Sequence, residues 1–238
     1  MKKTLFSLAT LGFLMFSAIR SDAQNHEQKY LGVVLGINEA NELLNAQPEG
    51  ISSYYRAGFI AGIQGDRWFN SQWGISMRDV YVQQGHNDNL NQNGTGILYG
   101  STRTGIDNVE TTSLDADLLL KKTIWGNDVI RTYAYVGPSL GIILSGKEYL
   151  NDTVSTSVGK FVGDTTFTML YSNVLDWSVV LGLGISIKLD SGPMFFVDAG
   201  YWYGLTNIYS WNEGSVYTRD IRLTAGILFP IHLPSLLL

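Results

Sequence analysis

Between Leu175 and Lys188 the chain alternates without a slip. Leu175, Trp177, Val179, Leu181, Leu183, Ile185 and Ile187 are apolar; between them stand Asp176, Ser178, Val180, Gly182, Gly184, Ser186 and Lys188, polar or small apart from Val180. Period two is the period of a β-strand, whose successive side chains leave opposite faces. The run exceeds the usual strand of about 5–6 residues in soluble sheets. It suits a tilted strand crossing a bilayer, which takes about 9–11 residues and often continues above the lipid.

Seven further segments repeat the pattern, so the strands are expected at about 29–37, 54–68, 73–84, 110–121, 131–145, 174–188, 194–205 and 218–229. In the third, the apolar phase passes from Trp73, Ile75 and Met77 to Val80 and Val82, which predicts a bulge near Arg78-Asp79 with both charges kept off lipid. Pro138 inside the fifth predicts a second local bulge, because a closed barrel offers no edge for a residue without an N–H. Short links (69–72, 122–129, 189–193) alternate with long polar ones (38–53, 85–109, 146–173, 206–216). That layout predicts an all-β, eight-stranded antiparallel up-and-down transmembrane β-barrel with short periplasmic turns and long extracellular loops.

Aromatic residues sort to two levels, as interfacial girdles do. Tyr30, Trp68, Phe69, Trp73, Trp125, Phe195 and Phe229 fall near the short turns; Tyr54, Tyr55, Tyr149, Trp177, Tyr201, Tyr203 and Tyr217 fall near the long loops. The N-terminus reads as a signal peptide over residues 1–23: Lys2 and Lys3, an apolar core from Leu5 to Ala18, then Ser21-Asp22-Ala23 for cleavage. Residues 24–238 then form a single outer-membrane barrel domain. Starting from 16 basic and 21 acidic residues, loss of Lys2, Lys3, Arg20 and Asp22 leaves 13 and 20. That balance excludes nucleic acid as a partner. A charged fraction of 16% and a mean hydropathy of +0.05 fit strands that show lipid only every second residue. With no cysteine, thiol and cysteine–zinc chemistry are also excluded.

Three segments resemble the PorT-like outer-membrane β-barrel family of the Bacteroidota. Tyr135-Val136-Gly137-Pro138-Ser139-Leu140-Gly141 is similar to its Gly-Pro-Ser-Leu-Gly strand. The run from Val197 to Ile208, with Gly204-Leu205-Thr206-Asn207, resembles its penultimate strand, and Ile221–Phe229 its last. Ala116-Asp117 stands where the family often has Ile-Pro, and the tail from Pro230 to Leu238 extends past the usual terminal aromatic. The resemblance implies an eight-stranded barrel in the outer membrane and no reaction; some members are associated with protein export.

About eight strands leave an interior that side chains just fill. The inward charges expected there are Arg56, Asp66, Arg78, Asp79, Asp115, Asp117, Lys121, Arg131, Asp176, Lys188, Asp198 and Arg222. Unpaired buried charges are costly, so these are expected to pair into a structural network that stiffens the barrel. The competing functional reading is a narrow ion path or a small-ligand site. Catalysis finds little support. His26, His86 and His232 lie outside the strands, Asp115 and Asp117 read as Arg-paired carboxylates, and Gly182-Leu183-Gly184 makes room in a strand instead of cradling phosphate.

The loop 85–109, rich in Asn and Gly, reads as solvated and mobile without calcium-loop spacing, while Phe161-Val162-Gly163 and Phe167 point to an extra hairpin above the membrane. The expectation is therefore a non-enzymatic barrel with a structural, assembly or export-associated role. It needs no metal or cofactor, and its partners are outer-membrane lipid and periplasmic or surface proteins. The alternatives are a small channel or adhesin-like binding barrel, and a soluble lipocalin-like periplasmic carrier.

Overall fold

A computed structural model describes residues 28–44, 51–93, 102–127, 129–156, 159–168, 173–190, 192–211 and 214–231. The expected signal peptide and the tail beyond 231 lie outside the described residues. Among the described residues ten strands form where eight are expected: β1 (Gln28–Leu44), β2 (Ile51–Trp68), β3 (Trp73–Asn93), β4 (Thr102–Gly126), β5 (Ile130–Thr156), β6 (Gly159–Thr168), β7 (Leu175–Lys188), β8 (Met194–Gly204), β9 (Tyr209–Trp211) and β10 (Gly214–Pro230).

The sheet is antiparallel throughout and runs up and down. β1 pairs β2, β2 pairs β3, β3 pairs β4, β4 pairs β5, β5 pairs β7, β7 pairs β8, and β8 pairs β10. β10 then pairs back with β1 from Tyr30↔Pro230 to Leu44↔Val216, which closes the sheet on itself. The two additional strands stand off this circuit, β6 on β5 and β9 on β10.

The alternation of β7 becomes geometry directly. All seven of its apolar positions point outward and the residues between them point inward. β8 and β10 repeat this, with Phe195, Val197, Tyr201, Ile221 and Leu223 exposed on the outside. An outer surface so uniformly apolar is the one a lipid bilayer covers.

Two of the short links fold as Asx turns. Asn70 Oδ1 accepts the N–H groups of Gln72 and Trp73 at 2.8 Å each. Asn127 Oδ1 accepts those of Val129 and Ile130 at 2.8 and 2.9 Å. Gly192, with φ +105°, turns β7 into β8 through a conformation that favours glycine.

Two expected bulges are absent. β3 and β4 keep one register from Trp73↔Lys122 to Asn93↔Thr102, so nothing is inserted at Arg78-Asp79. Around Pro138 the β4–β5 register is the same on both sides (Asp117↔Ser139, Leu120↔Val136), and the proline costs local pairing without shifting the strand. The irregularities lie instead between Tyr55 and Ile60 of β2 and, in β4, between Thr112 and Ser113 and between Thr123 and Trp125.

The larger surprise is strand length. The segments read as loops at 85–109 and 146–173 are largely hairpin: β3 and β4 stay paired to Asn93↔Thr102, β4 and β5 to Thr102↔Ser155, and β5 turns back onto β6. The hairpin above the membrane signalled by Phe161 and Phe167 is this β5–β6 pair. Both faces of the extensions carry polar residues, so no apolar period marks them. Their pairing is carried up from the barrel by register.

Candidate functional site

Inside the ring the side chains form three tiers. Nearest the short turns, Asp66 is the hub. It accepts hydrogen bonds from Lys121 Nζ at 2.8 Å, Ser76 Oγ at 2.7 Å and Gln64 Nε2 at 3.0 Å. Lys121 also lies 4.7 Å from the centre of the Tyr133 ring, and the Arg131 guanidinium 4.6 Å from that of Trp68.

In the middle tier Arg78 joins two neighbours. Its Nε donates to Gln64 Oε1 at 2.7 Å and its Nη2 to Asp198, which also accepts the Tyr133 hydroxyl at 2.5 Å. Lys121, Asp66, Gln64, Arg78 and Asp198 are thus one chain of bonds across the lumen. In the tier nearest the long hairpins, Arg222 donates to Asp115 at 2.6 Å and to Asp220 at 2.5 Å and lies over the Trp202 ring at 4.4 Å. Trp202 Nε1 reaches Asp117 at 3.3 Å, and Thr218 donates to Asp176 at 2.6 Å.

An apolar and aromatic core, including Val34, Ile60, Val80, Val82, Leu119, Tyr135, Val180 and Phe196, surrounds these ion pairs. Between Asp115, Ser139, Asp176, Thr218 and Arg222 remains a cavity of about 10 Å³, the space of one water molecule. Two glycines of β7 make this filling possible. A Cβ on Gly182 would lie 2.2 Å from Tyr135 Cζ, and one on Gly184 would lie 2.1 Å from Asp198 Oδ1.

Asp66, Arg78, Asp115, Asp117, Lys121, Arg131, Asp176, Asp198 and Arg222 are all buried inside, and Lys188 is half-buried at the short-turn end. Two of the expected charges lie elsewhere. Asp79 points outward, between Ile63 and Ala116, because β3 has no bulge and Val80 and Val82 take the inward positions. Arg56 stays out of the network: at the irregular stretch of β2 it reaches the Val109 carbonyl at 2.9 Å and Glu110 at 3.0 Å.

Tyr30 and Trp68, assigned by sequence to a lipid girdle, are buried in the lumen at 2% and 1% exposure. The inward partners missed were Gln64, Ser76, Trp202 and Asp220. Each shares the strand parity of a charge already counted, so parity was the signal. A list restricted to charges leaves out Gln64, Ser76 and Trp202; Asp220, a charge two residues from Arg222 on the same face, belonged on it.

The continuous outward apolar run ends at Tyr81 on β3, Leu114 on β4 and Leu144 on β5; Gln83, Thr112 and Ser145 follow, and Ile106 and Tyr149 are isolated exceptions farther up. The wall above this level stands outside the apolar band. Tyr149, read as an outer girdle residue, lies there opposite Asn108. So do His86, Asp88, Asp107 and Glu148, gathered across β3, β4 and β5 by the pairs His86↔Val109, Asp88↔Asp107 and Val109↔Glu148. Burial, then the charge and hydrogen bond of Glu148 and the charge of Asp88, push the Asp107 carboxyl up to about 7, with His86 opposing.

A folded-state value raised above the ordinary 3.8 means that this stabilisation is fully present below 3.8 and lost as pH rises through about 7. Amide hydrogen exchange of the β3–β5 extension, corrected for intrinsic rates, should therefore be faster at pH 8 than at pH 5. The Asp107→Asn variant, a permanent mimic of the protonated form, should lose that difference.

The chain is similar to several solved outer-membrane proteins. OprG from Pseudomonas aeruginosa shares 14% identity, with 89% of this chain and all of that one aligned at a TM-score of 0.46. The protease OmpT from Escherichia coli shares 10%, over 90% of this chain and all of that one, at 0.49. Ail, the attachment invasion locus protein of Yersinia pestis, shares 14% over 86% of this chain and all of that one, at 0.39. Among proteins of curated function, none matches the sequence significantly. The family model described as outer membrane protein beta-barrel domain matches residues 22–210. With its closed antiparallel sheet, apolar outer face and filled interior, the chain belongs to this family and is an outer-membrane β-barrel protein.

Proposed function

We propose that the eight strands of the closed circuit are a sealed transmembrane barrel whose task is to anchor the extended β2–β6 sheet outside the cell. In this reading the protein is non-enzymatic, with a structural or assembly role. The observation that carries it is the unbroken bonding from Lys121 through Asp66, Gln64 and Arg78 to Asp198, which spans the lumen; in the tier nearest the long hairpins the cavity between Asp115, Asp176 and Arg222 is the size of one water. Charges held in this way brace a wall and leave no path for hydrated ions. The lumen carboxylates support a structural role as well: Asp115 is bonded to Ser113 and Arg222, and Asp117 to Trp202. The likeness of the Gly137–Gly141 and Val197–Ile208 motifs to PorT-like barrels supports protein export as the setting of that assembly role.

Purified protein in planar bilayers should show no stepwise conductance. Steps of defined size would overturn the sealed barrel in favour of a channel. Export to the surface through the signal peptide is tested by fractionation: the protein should need detergent for release and lack residues 1–23.

A further inference from the structure

β6 has one partner among the described residues. Its ten residues, Gly159–Thr168, pair with β5, and the opposite edge of the strand pairs with nothing described. It stands outside the apolar band, with Phe161 and Val162 exposed at 63% and 71%. Edges like this are normally blunted, since open N–H and C=O groups template further pairing.

The sequence of β6 fits its own reverse. Laid antiparallel against a second copy with Val162 facing Val162, Lys160 falls opposite Asp164 twice on one face. On the other face Phe161 falls opposite Gly163 twice, an aromatic ring over a residue without a side chain. The other end of this sheet, Ile51–Tyr55 of β2, also has an edge unpaired among the described residues, but it carries no charge and would leave Lys160 and Asp164 unanswered.

We propose that β6 is a homotypic edge: two copies pair their β6 strands antiparallel about Val162, each supplying Lys160 to the other's Asp164. This rests on the reading that the extended sheet stands outside the membrane. The symmetry adds a consequence. The two-fold axis of an antiparallel edge pair runs perpendicular to the sheet. β3 and β4 carry the barrel wall into the extension without a change of register, and β5 follows after one shift at Thr112/Ser113; in this proposal the wall continues upright to β6 and the axis lies in the membrane plane. A rotation about such an axis turns one copy upside down, which places the two copies in facing membranes.

The chain has no cysteine, which makes single-cysteine bridging clean. A short bis-maleimide should link Val162→Cys protein to itself and Lys160→Cys to Asp164→Cys in a mixture, but not Thr168→Cys to itself. Lys160→Glu should lower bridging at Val162→Cys about tenfold, and adding Asp164→Lys should restore it. Vesicles carrying the protein should cluster, and Lys160→Glu vesicles should not. Equal bridging at every position, no bridging at Val162→Cys, or failure of the charge swap to restore it would overturn the homotypic edge. Bridged pairs confined to single vesicles would overturn the facing-membrane geometry. A heat-sensitive gel shift shows that each variant barrel is folded and inserted; its absence in wild-type protein would count against the barrel reading instead.

Discussion

Replacing Arg78 with methionine is expected to cost the barrel about 3–5 kcal/mol, the usual penalty for leaving the other half of a buried ion pair uncompensated. Arg78 is 1% exposed and joins Asp198 to Gln64 at the centre of the lumen. Without it, Asp198 keeps one donor, the Tyr133 hydroxyl, and Gln64 Oε1 loses its own. With a urea slope of about 1–3 kcal/mol/M, the unfolding midpoint in lipid vesicles should fall by at least about 1 M. The double variant Arg78→Met, Asp198→Asn removes both charges and should regain most of the loss. If Arg78→Met leaves the midpoint unchanged, the network does not brace the wall.

The second large effect is steric. Gly182→Ala places a methyl group where only 2.2 Å separates it from the Tyr135 ring, in a lumen with no room for the ring to retreat. Most of the protein should then fail to reach the folded, heat-modifiable form on refolding into detergent. Tyr135→Ala in the same chain should recover part of it: the ring clash goes, the Ala199 carbonyl 2.6 Å from the new methyl remains, and the Tyr135 hydroxyl makes no hydrogen bond among the described residues that its removal would forfeit. Recovery by this partner change separates a packing clash from a general intolerance of β7 to substitution.

Some of this was legible in the residues. The alternation at 175–188 needs no tertiary context: with period two, one face must be apolar along its whole length, and the structure keeps every position. The turn at Asp190–Pro193 is similarly local, written in residues that favour turns. Asp79 was illegible because its placement depends on whether a bulge intervenes. The phase change from Met77 to Val80 has two solutions, a bulge or an apolar lumen, and packing against Ile60, Leu119 and Tyr135 selects the second. Tyr30 and Trp68 show the same ambiguity: an aromatic at a strand end suits the lipid interface or the lumen floor, and only neighbours such as Arg131 over Trp68 decide.

The amino-acid order alone determined that this chain makes long, amphipathic, antiparallel strands with an outer face for lipid, because side-chain period and turn chemistry act within a few residues. Tertiary structure decided which charges meet, since Arg78 and Asp198 stand 120 positions apart along the chain. It also decided how far the hairpins rise beyond the apolar band. Backbone pairing carries β3, β4 and β5 onward with no apolar face to announce them, and it leaves β6 with an edge unpaired among the described residues, which no local pattern reveals.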